Sequence, residues 1–130
     1  MQTNQHHQQD ALVERAVFPR LPEAVELARH WVRKAYDRVG GKQVDTCELL
    51  VSELFTNAVR YAVGDRVEVT VWASLEVDVW DGSPKEPVTQ APDDESVTGR
   101  GLLLVAALTS LFVVIPSEGG KTVKFRIDGE

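Results

Sequence analysis

The chain has 130 residues, of which 43% are hydrophobic, and this length fits one domain with its own core. The formal net charge of -6 argues against direct binding to nucleic acid, which needs a basic surface, but it does not exclude a phosphate-bearing small ligand at a helix N-terminus. No apolar run approaches the roughly 18 residues of a membrane span, so we expect no membrane partner.

The start of the chain differs in composition from the rest. Residues 1–10 are polar and rich in glutamine, unlike a signal peptide. We therefore expect a disordered tail at residues 1–10, a single domain at residues 11–130 and a cytoplasmic location. Cys47 is the only cysteine, which excludes an internal disulfide, and its place in an apolar helical stripe indicates a buried thiol.

The first part of the domain contains patterns typical of one strand and two helices. The strand is expected at residues 11–18, before Pro19. The first helix should begin near Pro22 and end at Gly40-Gly41, with an apolar stripe formed by Ala24, Leu27, Ala28, Trp31, Ala35 and Val39. The second helix is expected at residues 44–62, with a stripe formed by Cys47, Leu50, Val51, Leu54, Ala58 and Tyr61.

The second part of the domain alternates between apolar and polar residues. Residues 67–73 and 75–80 show this period of two, and the short gap between them predicts an antiparallel hairpin. A loop with three prolines follows at residues 82–98, a length often found in functional lids. A third helix at residues 101–110, apolar almost all round and hence central, should precede a final hairpin at residues 112–115 and 122–127.

The order of these elements predicts the fold class. One strand, two helices, two strands, a loop, one helix and two strands favour an α+β domain. We expect a two-layer α/β sandwich in which a mixed, mostly antiparallel sheet carries the helices on one face.

Glu53 and Asn57 are four residues apart in the second predicted helix, so both side chains lie on one side of it, beside Leu50 at the margin of the apolar stripe. A solvated helix flank would explain this pair. An oxygen pair facing a cleft would explain it as well. Mg²⁺ takes oxygen ligands and shares them with substrate phosphates, and a carboxylate can accept the proton of an attacking hydroxyl.

Asp81 continues the strand row of Val77 and Val79, so its carboxylate should point to the covered face of the sheet. A buried acid must find a donor. A backbone amide and the amino group of a ligand are equally good candidates. Gly82, the next residue, would let the backbone come close to whatever occupies the site.

The segment Thr98-Gly99-Arg100-Gly101-Leu102 stands directly before the third predicted helix. Two glycines at a helix start leave N–H groups and the positive end of the helix dipole open to a phosphate, although plain loop geometry would explain them too. Arg100 could add a charge-assisted contact. Gly119-Gly120-Lys121-Thr122 is similar to the end of a P-loop, but Ile115 stands where that motif needs glycine, so we reject it.

Together, and in this order, these motifs resemble the histidine-kinase-like ATPase superfamily with its Bergerat-type ATP-binding fold. The chain looks most similar to the short bacterial anti-sigma regulatory serine/threonine kinases, over about residues 13–127. Glu53-Leu-Phe-Thr-Asn57-Ala resembles the asparagine box, and Asp81-Gly-Ser-Pro resembles a reduced first glycine box. Gly99-Arg-Gly101-Leu resembles the second glycine box, and Gly120-Lys-Thr122-Val resembles the final threonine strand.

The resemblance implies a role for each matched residue. Glu53 would be the general base, and Asn57 would bind the Mg²⁺ that bridges the phosphates of ATP. Asp81, followed by Gly82, would accept a hydrogen bond from the adenine amino group, and Thr122 would help to hold the adenine. The phosphates would meet the helix entry formed by Gly99, Arg100, Gly101 and Leu102.

Two positions depart from the family pattern. The usual Asp-x-Gly of the first glycine box is here Asp81-Gly82-Ser83, so the turn on the adenine side can differ. Thr122 also stands in the opposite strand row from Val123, Phe125 and Ile127, so it would face a pocket beside the helices only with a bulge.

Three functions are compatible with the sequence. The first is a kinase that uses ATP and Mg²⁺ to phosphorylate an anti-sigma-factor antagonist protein and that captures a sigma factor, acting as the homodimer that the resemblance implies. The second is a nucleotide-gated protein-binding module without turnover. The third, a detached histidine-kinase catalytic domain, is disfavoured because no separate dimerising phosphoacceptor helix pair is visible.

Overall fold

A computed structural model describes residues 13–82, 103, 105–117 and 119–130 of the chain. Helical backbone is also present at residues 103 and 105–108. The predicted tail, most of the predicted loop after Gly82 and the glycine segment at residues 99–102 lie outside the described residues. The elements are, in chain order, β1 (Val13–Pro19), α1 (Ala24–Arg38), α2 (Val44–Tyr61), β2 (Arg66–Trp72), β3 (Val77–Asp81), β4 (Thr109–Ser117) and β5 (Gly120–Ile127).

The described strands form one sheet in the order β1-β2-β3-β5-β4. The predicted α+β class is confirmed. The sheet was expected to be mixed and mostly antiparallel, and all four of its described strand pairs are antiparallel. The hairpin predicted between residues 67 and 80 is present as β2 and β3, and its turn includes Leu75 with a φ of 75°.

The core lies between this sheet and the two helices. α1 packs on β1 and β2, and α2 packs on β3 and β5, so both helices lie on one face, as predicted. Strand alternation supplies this face with apolar side chains because every second residue of β2, β3 and β5 points toward the helices. These buried strand residues are Val67, Val69, Val71, Val77, Val79, Val123, Phe125 and Ile127.

Both long helices occupy the predicted parts of the sequence, but their buried sides differ in detail. Leu27 was expected in the core and is 57% exposed, because the residues of α1 that enter the core are Ala24, Ala28, Val32, Ala35 and Tyr36. Tyr61, also expected in the core, is the last residue of α2 and is 41% exposed, whereas Phe55 is fully buried.

The segment before β4 corrects the prediction of a central helix at residues 101–110. Among its described residues, Val105 is fully buried but Leu103 is 72% exposed, so this helical segment has an exposed side. The helix also ends by Leu108, because Thr109 already pairs with Ile127 at the start of the final hairpin.

The final hairpin is longer than predicted. Its strands pair up to Ser117 and Gly120, and Gly119 takes a φ of 75° that suits glycine. Pro116 was expected in the turn but lies within β4. This position tolerates the missing N–H because β4 is an edge strand of the described sheet.

Candidate functional site

Asp81 is the last residue of β3 and lies on the covered face of the sheet. Its side chain points toward the helices in the row of Val77 and Val79, as the alternation predicted, and the residue is only 4% exposed. A carboxylate this well buried needs donors close by. Asp81 is therefore a candidate acceptor for a polar group of a ligand at this end of the sheet.

Lys121 supplies one donor to this carboxylate. Strand pairing places Lys121 directly opposite Asp81, and the lysine Nζ donates to Oδ2 at 2.6 Å. The side chains of the two residues are 18% and 6% exposed. This lysine was not predicted as a site residue, although it stands in the same strand row as Val123, Phe125 and Ile127.

Two glycines bring three segments of backbone together around Asp81. A Cβ on Gly82 would lie 2.5 Å from the carbonyl oxygen of Val63, just after the end of α2. A Cβ on Gly120 would collide with the carbonyl oxygen of Asp81 and approach the ring of Trp80. The backbone at Gly82 therefore comes close to the loop after α2. Its predicted close approach to a ligand stays a prediction.

Glu53 and Asn57 are both half-buried on α2, the helix that packs on β3 and β5. Neither side chain forms a hydrogen bond or an ion pair within the part of the chain that the structure describes. Asn57 stands one turn before the end of α2, and the loop that Gly82 approaches follows that end. Glu53 lies one turn earlier, about 6 Å further along the helix axis.

Arg20 fixes the end of α2 on which this arrangement depends. Its Nη1 donates to the carbonyl oxygen of Val59 at 2.7 Å, and its Nε donates to that of Gly64 at 2.7 Å. The contact with Val59 satisfies a carbonyl group in the last turn of α2, where intrahelical partners are missing, and the contact with Gly64 holds the loop that follows the helix. No local sequence pattern indicates such a contact, because Arg20 and its acceptors are far apart in the chain.

Thr122 lies on the other face of the sheet. It pairs with Trp80, and the β3–β5 register is regular from Val77 to Asp81, without the bulge that would turn Thr122 toward the helices. Strand alternation therefore directs Thr122 away from Asp81. This orientation does not favour a contact of Thr122 with the same ligand as Asp81, and its role in holding adenine stays a prediction. The remaining predicted phosphate contacts, Gly99, Arg100, Gly101 and Leu102, lie outside the described residues.

A second charged cluster on that other face has a structural explanation. Lys124 Nζ lies 2.9 Å from Asp78 Oδ1 and 3.3 Å from Glu76 Oε1, and it stands 5.1 Å from the centre of the Trp72 ring. Burial disfavours the charge on Lys124, but its contacts with Asp78 and Glu76 outweigh this and raise its pKa. The second oxygen of Asp78 accepts a hydrogen bond from Trp72 Nε1 at 3.0 Å.

The family described as histidine kinase-like ATPase domain matches residues 18–127 of the chain. The chain belongs to this family. The match begins in β1 and ends with β5, so it includes the described site residues of this histidine kinase-like ATPase domain. No curated protein matches the chain.

The residues of this histidine kinase-like ATPase domain fit an adenine nucleotide with Mg²⁺. Asp81 offers a buried acceptor to an amino group, and Gly82 adds no side chain beside it. Asn57 offers an amide oxygen, the type of ligand that Mg²⁺ prefers.

Within the described part of the chain, no helix has both the length and the apolar character needed to cross a bilayer.

Proposed function

We propose that this domain is an anti-sigma regulatory serine/threonine protein kinase of the cytoplasm. In this proposal it binds ATP and Mg²⁺, phosphorylates an anti-sigma-factor antagonist, captures a sigma factor and acts as a homodimer. The main support is the buried carboxylate of Asp81 at the end of β3. The next residue, Gly82, approaches the loop that follows α2, the helix that carries Asn57 and Glu53. Phosphoryl transfer from ATP requires groups of three kinds: an acceptor for adenine, an oxygen ligand for a cation and a basic carboxylate.

Each described residue has one task in this proposal. Asp81 accepts a hydrogen bond from the adenine amino group, and Gly82 is proposed to let the adjacent backbone come close to the base. Asn57 would hold Mg²⁺, which when bound neutralises phosphate charge. Glu53 takes the proton of the attacking serine or threonine hydroxyl while the new O–P bond forms and the bond to the ADP oxygen breaks. Gly99, Arg100, Gly101 and Leu102 are proposed to contact the phosphates.

The first experiment measures nucleotide binding. Calorimetry with the purified chain should show magnesium-dependent binding of ATP, and Asn57→Ala should weaken it strongly. Thr56→Ala is the matched control, because Thr56 is a half-buried polar neighbour of Asn57 on the same helix. If the unmodified chain binds no adenine nucleotide at millimolar concentration, the proposed site is wrong.

The second experiment identifies the partners and the reaction. The chain is used to capture proteins from a native lysate with and without ATP, and phosphorylation sites are mapped on everything retained. The proposal expects a sigma factor and an antagonist phosphorylated on serine or threonine. If every captured partner stays unphosphorylated although ATP changes which partners are retained, the chain is a nucleotide-gated binding module.

A further inference from the structure

Asp81 and Lys121 present a hydrogen-bond acceptor and a donor side by side on the helix-facing side of the sheet. Their side chains are 6% and 18% exposed, and their charged groups are 2.6 Å apart. An acceptor alone can recognise one polar group of a ligand. An acceptor next to a donor can recognise a ligand edge that carries the two complementary groups next to each other.

Strand pairing holds Lys121 in this position. Lys121 stands opposite Asp81 in a regular antiparallel ladder, one residue after the close contact of Gly120 with the Asp81 backbone. The ammonium group has three donor hydrogens, so one can stay on Asp81 while another contacts a ligand. The pairing of β5 with β3 therefore sets the position of this donor.

We propose that Lys121 is a base-contacting residue that donates a hydrogen bond to N1 of adenine, while Asp81 accepts one from the adenine 6-amino group. This inference rests on the proposed ATP-binding function. The Watson–Crick edge of adenine places a donor at position 6 beside an acceptor at position 1, which complements the acceptor and donor of Asp81 and Lys121. Enzymes that take a flipped-out base into a pocket read it by hydrogen bonds to this edge.

The same pair would reject a base with the opposite pattern. Hypoxanthine and guanine carry an oxygen at position 6 and an N–H at position 1. In the orientation that suits adenine, this oxygen would face the carboxylate of Asp81 and the N–H would face the ammonium of Lys121. Lys121 therefore contributes to the selection of adenine, in addition to Asp81.

The test compares ATP with 1-deaza-ATP, an analogue in which a C–H replaces N1 and the amino group is kept. Calorimetry on the unmodified chain should show about 10- to 100-fold weaker binding of 1-deaza-ATP, the effect of one hydrogen bond from a charged donor. Lys121→Met should weaken ATP binding by a similar factor and should bind the two nucleotides equally. Binding of ITP by the unmodified chain should be weaker still than that of 1-deaza-ATP.

Lys124→Met is the matched control, because Lys124 has a similarly exposed side chain, at 20%, and pairs with acids on the other face of the same strand. It should keep the full preference for ATP over 1-deaza-ATP. The inference is overturned if Lys121→Met keeps that preference, or if the unmodified chain binds both nucleotides equally. The measurement on the unmodified chain does not depend on the folding of any variant.

If the proposed ATP-binding function itself is wrong, the same binding measurements give a different result. If the unmodified chain binds neither ATP nor 1-deaza-ATP, the proposed ATP site is wrong and the role of Lys121 falls with it. If it binds ATP in a way that depends on Asn57 but shows no sensitivity to N1, the site stands and only the role of Lys121 is overturned.

Discussion

Glu53 combines a half-buried position with a side chain that forms no hydrogen bond or ion pair in the described structure. Glu53→Gln keeps the size of this side chain and removes its basic oxygen. We expect the variant to bind ATP normally and to transfer phosphate to the cognate antagonist roughly 10²–10⁴-fold more slowly, because that is the usual contribution of a general base. Transfer of labelled phosphate from ATP to the antagonist measures this rate.

A second glutamate on α2 provides the control for this prediction. Glu48 pairs with Arg33 at 3.0 Å and lies near the opposite end of the helix from Asn57. Glu48→Gln should therefore leave the transfer rate unchanged. Transfer at the normal rate by Glu53→Gln would mean that another group accepts the hydroxyl proton, even if the chain is a kinase.

The orientation of single side chains was predictable from the sequence only where the strand register was clear. Alternation from Val77 to Asp81 predicted the buried carboxylate correctly. Lys121 was missed because residues 116–121 were expected to form the turn of the final hairpin, which took this lysine out of the strand. Arg20 could not be found either, since its acceptors Val59 and Gly64 come close only in the folded chain.

At the start of β5, Gly120 has no space for a side chain. A Cβ on Gly120 would collide with the Asp81 carbonyl, so Gly120→Ala must shift β5 away from β3. We expect a loss of about 1–3 kcal/mol in the free energy of unfolding, as for other overpacked sites, together with weaker ATP binding. Urea unfolding and calorimetry measure these two quantities.

Gly119→Ala separates a steric effect at β5 from a general loss of stability. Gly119 has a φ of 75°, and a Cβ added to it would meet nothing within 4 Å, so an alanine there adds backbone strain without a collision. It should destabilise the fold by about 1 kcal/mol and leave ATP affinity unchanged. Equal losses of ATP affinity in both variants would contradict the special role of Gly120.

The contact between the β1–α1 loop and α2 gives another prediction at this scale. Arg20→Ala removes two hydrogen bonds to backbone carbonyl groups and should lower the free energy of unfolding by about 1–3 kcal/mol. Arg20→Lys, with a single ammonium group, should have a free energy of unfolding between those of Arg20→Ala and the unmodified chain. Arg60→Ala, at an exposed position on α2, is the control, and an equal effect of the two alanine variants in urea unfolding would refute the capping role.

The types of the elements were largely predictable, whereas some of their limits were not. Apolar periodicity gave both long helices and both hairpins, because burial of one side dominates the choice of residues there. The helix expected at residues 101–110 ends earlier because Thr109 pairs with Ile127, a contact between distant parts of the chain. Periodicity within a segment contains no information about such pairing.

At the scale of the whole molecule, Glu130 joins the region after β5 to the turn between α1 and α2. Its carboxylate accepts hydrogen bonds from the backbone N–H of Gln43 at 2.7 Å, from that of Lys42 at 3.0 Å and from the Tyr36 hydroxyl at 2.9 Å. Burial opposes ionisation of Glu130. The hydrogen bonds from Gln43, Lys42 and Tyr36 outweigh this effect, so the pKa of the Glu130 carboxyl is lowered.

This lowered pKa predicts how the stability contributed by Glu130 depends on pH. The folded chain holds the carboxylate form more tightly than the unfolded chain, in which a glutamate has a pKa of about 4.3. The contribution is therefore complete above that pKa and is lost as the pH falls through the lower folded value. Glu130→Gln should be less stable than the unmodified chain at neutral pH, by about 1 kcal/mol, and the difference should shrink in acid.

Urea unfolding of both chains at a series of pH values measures this difference directly, since protonation of the other carboxyl groups affects both chains alike. Glu26→Gln is the control, because Glu26 is exposed and its partner His30 is a weak one at 3.5 Å. This control should show little difference from the unmodified chain at neutral pH. The hydrogen bonds from Gln43 and Lys42 favour the carboxylate over the neutral acid. The role of the charged form is therefore contradicted if the difference in stability between Glu130→Gln and the unmodified chain stays constant down to about pH 3.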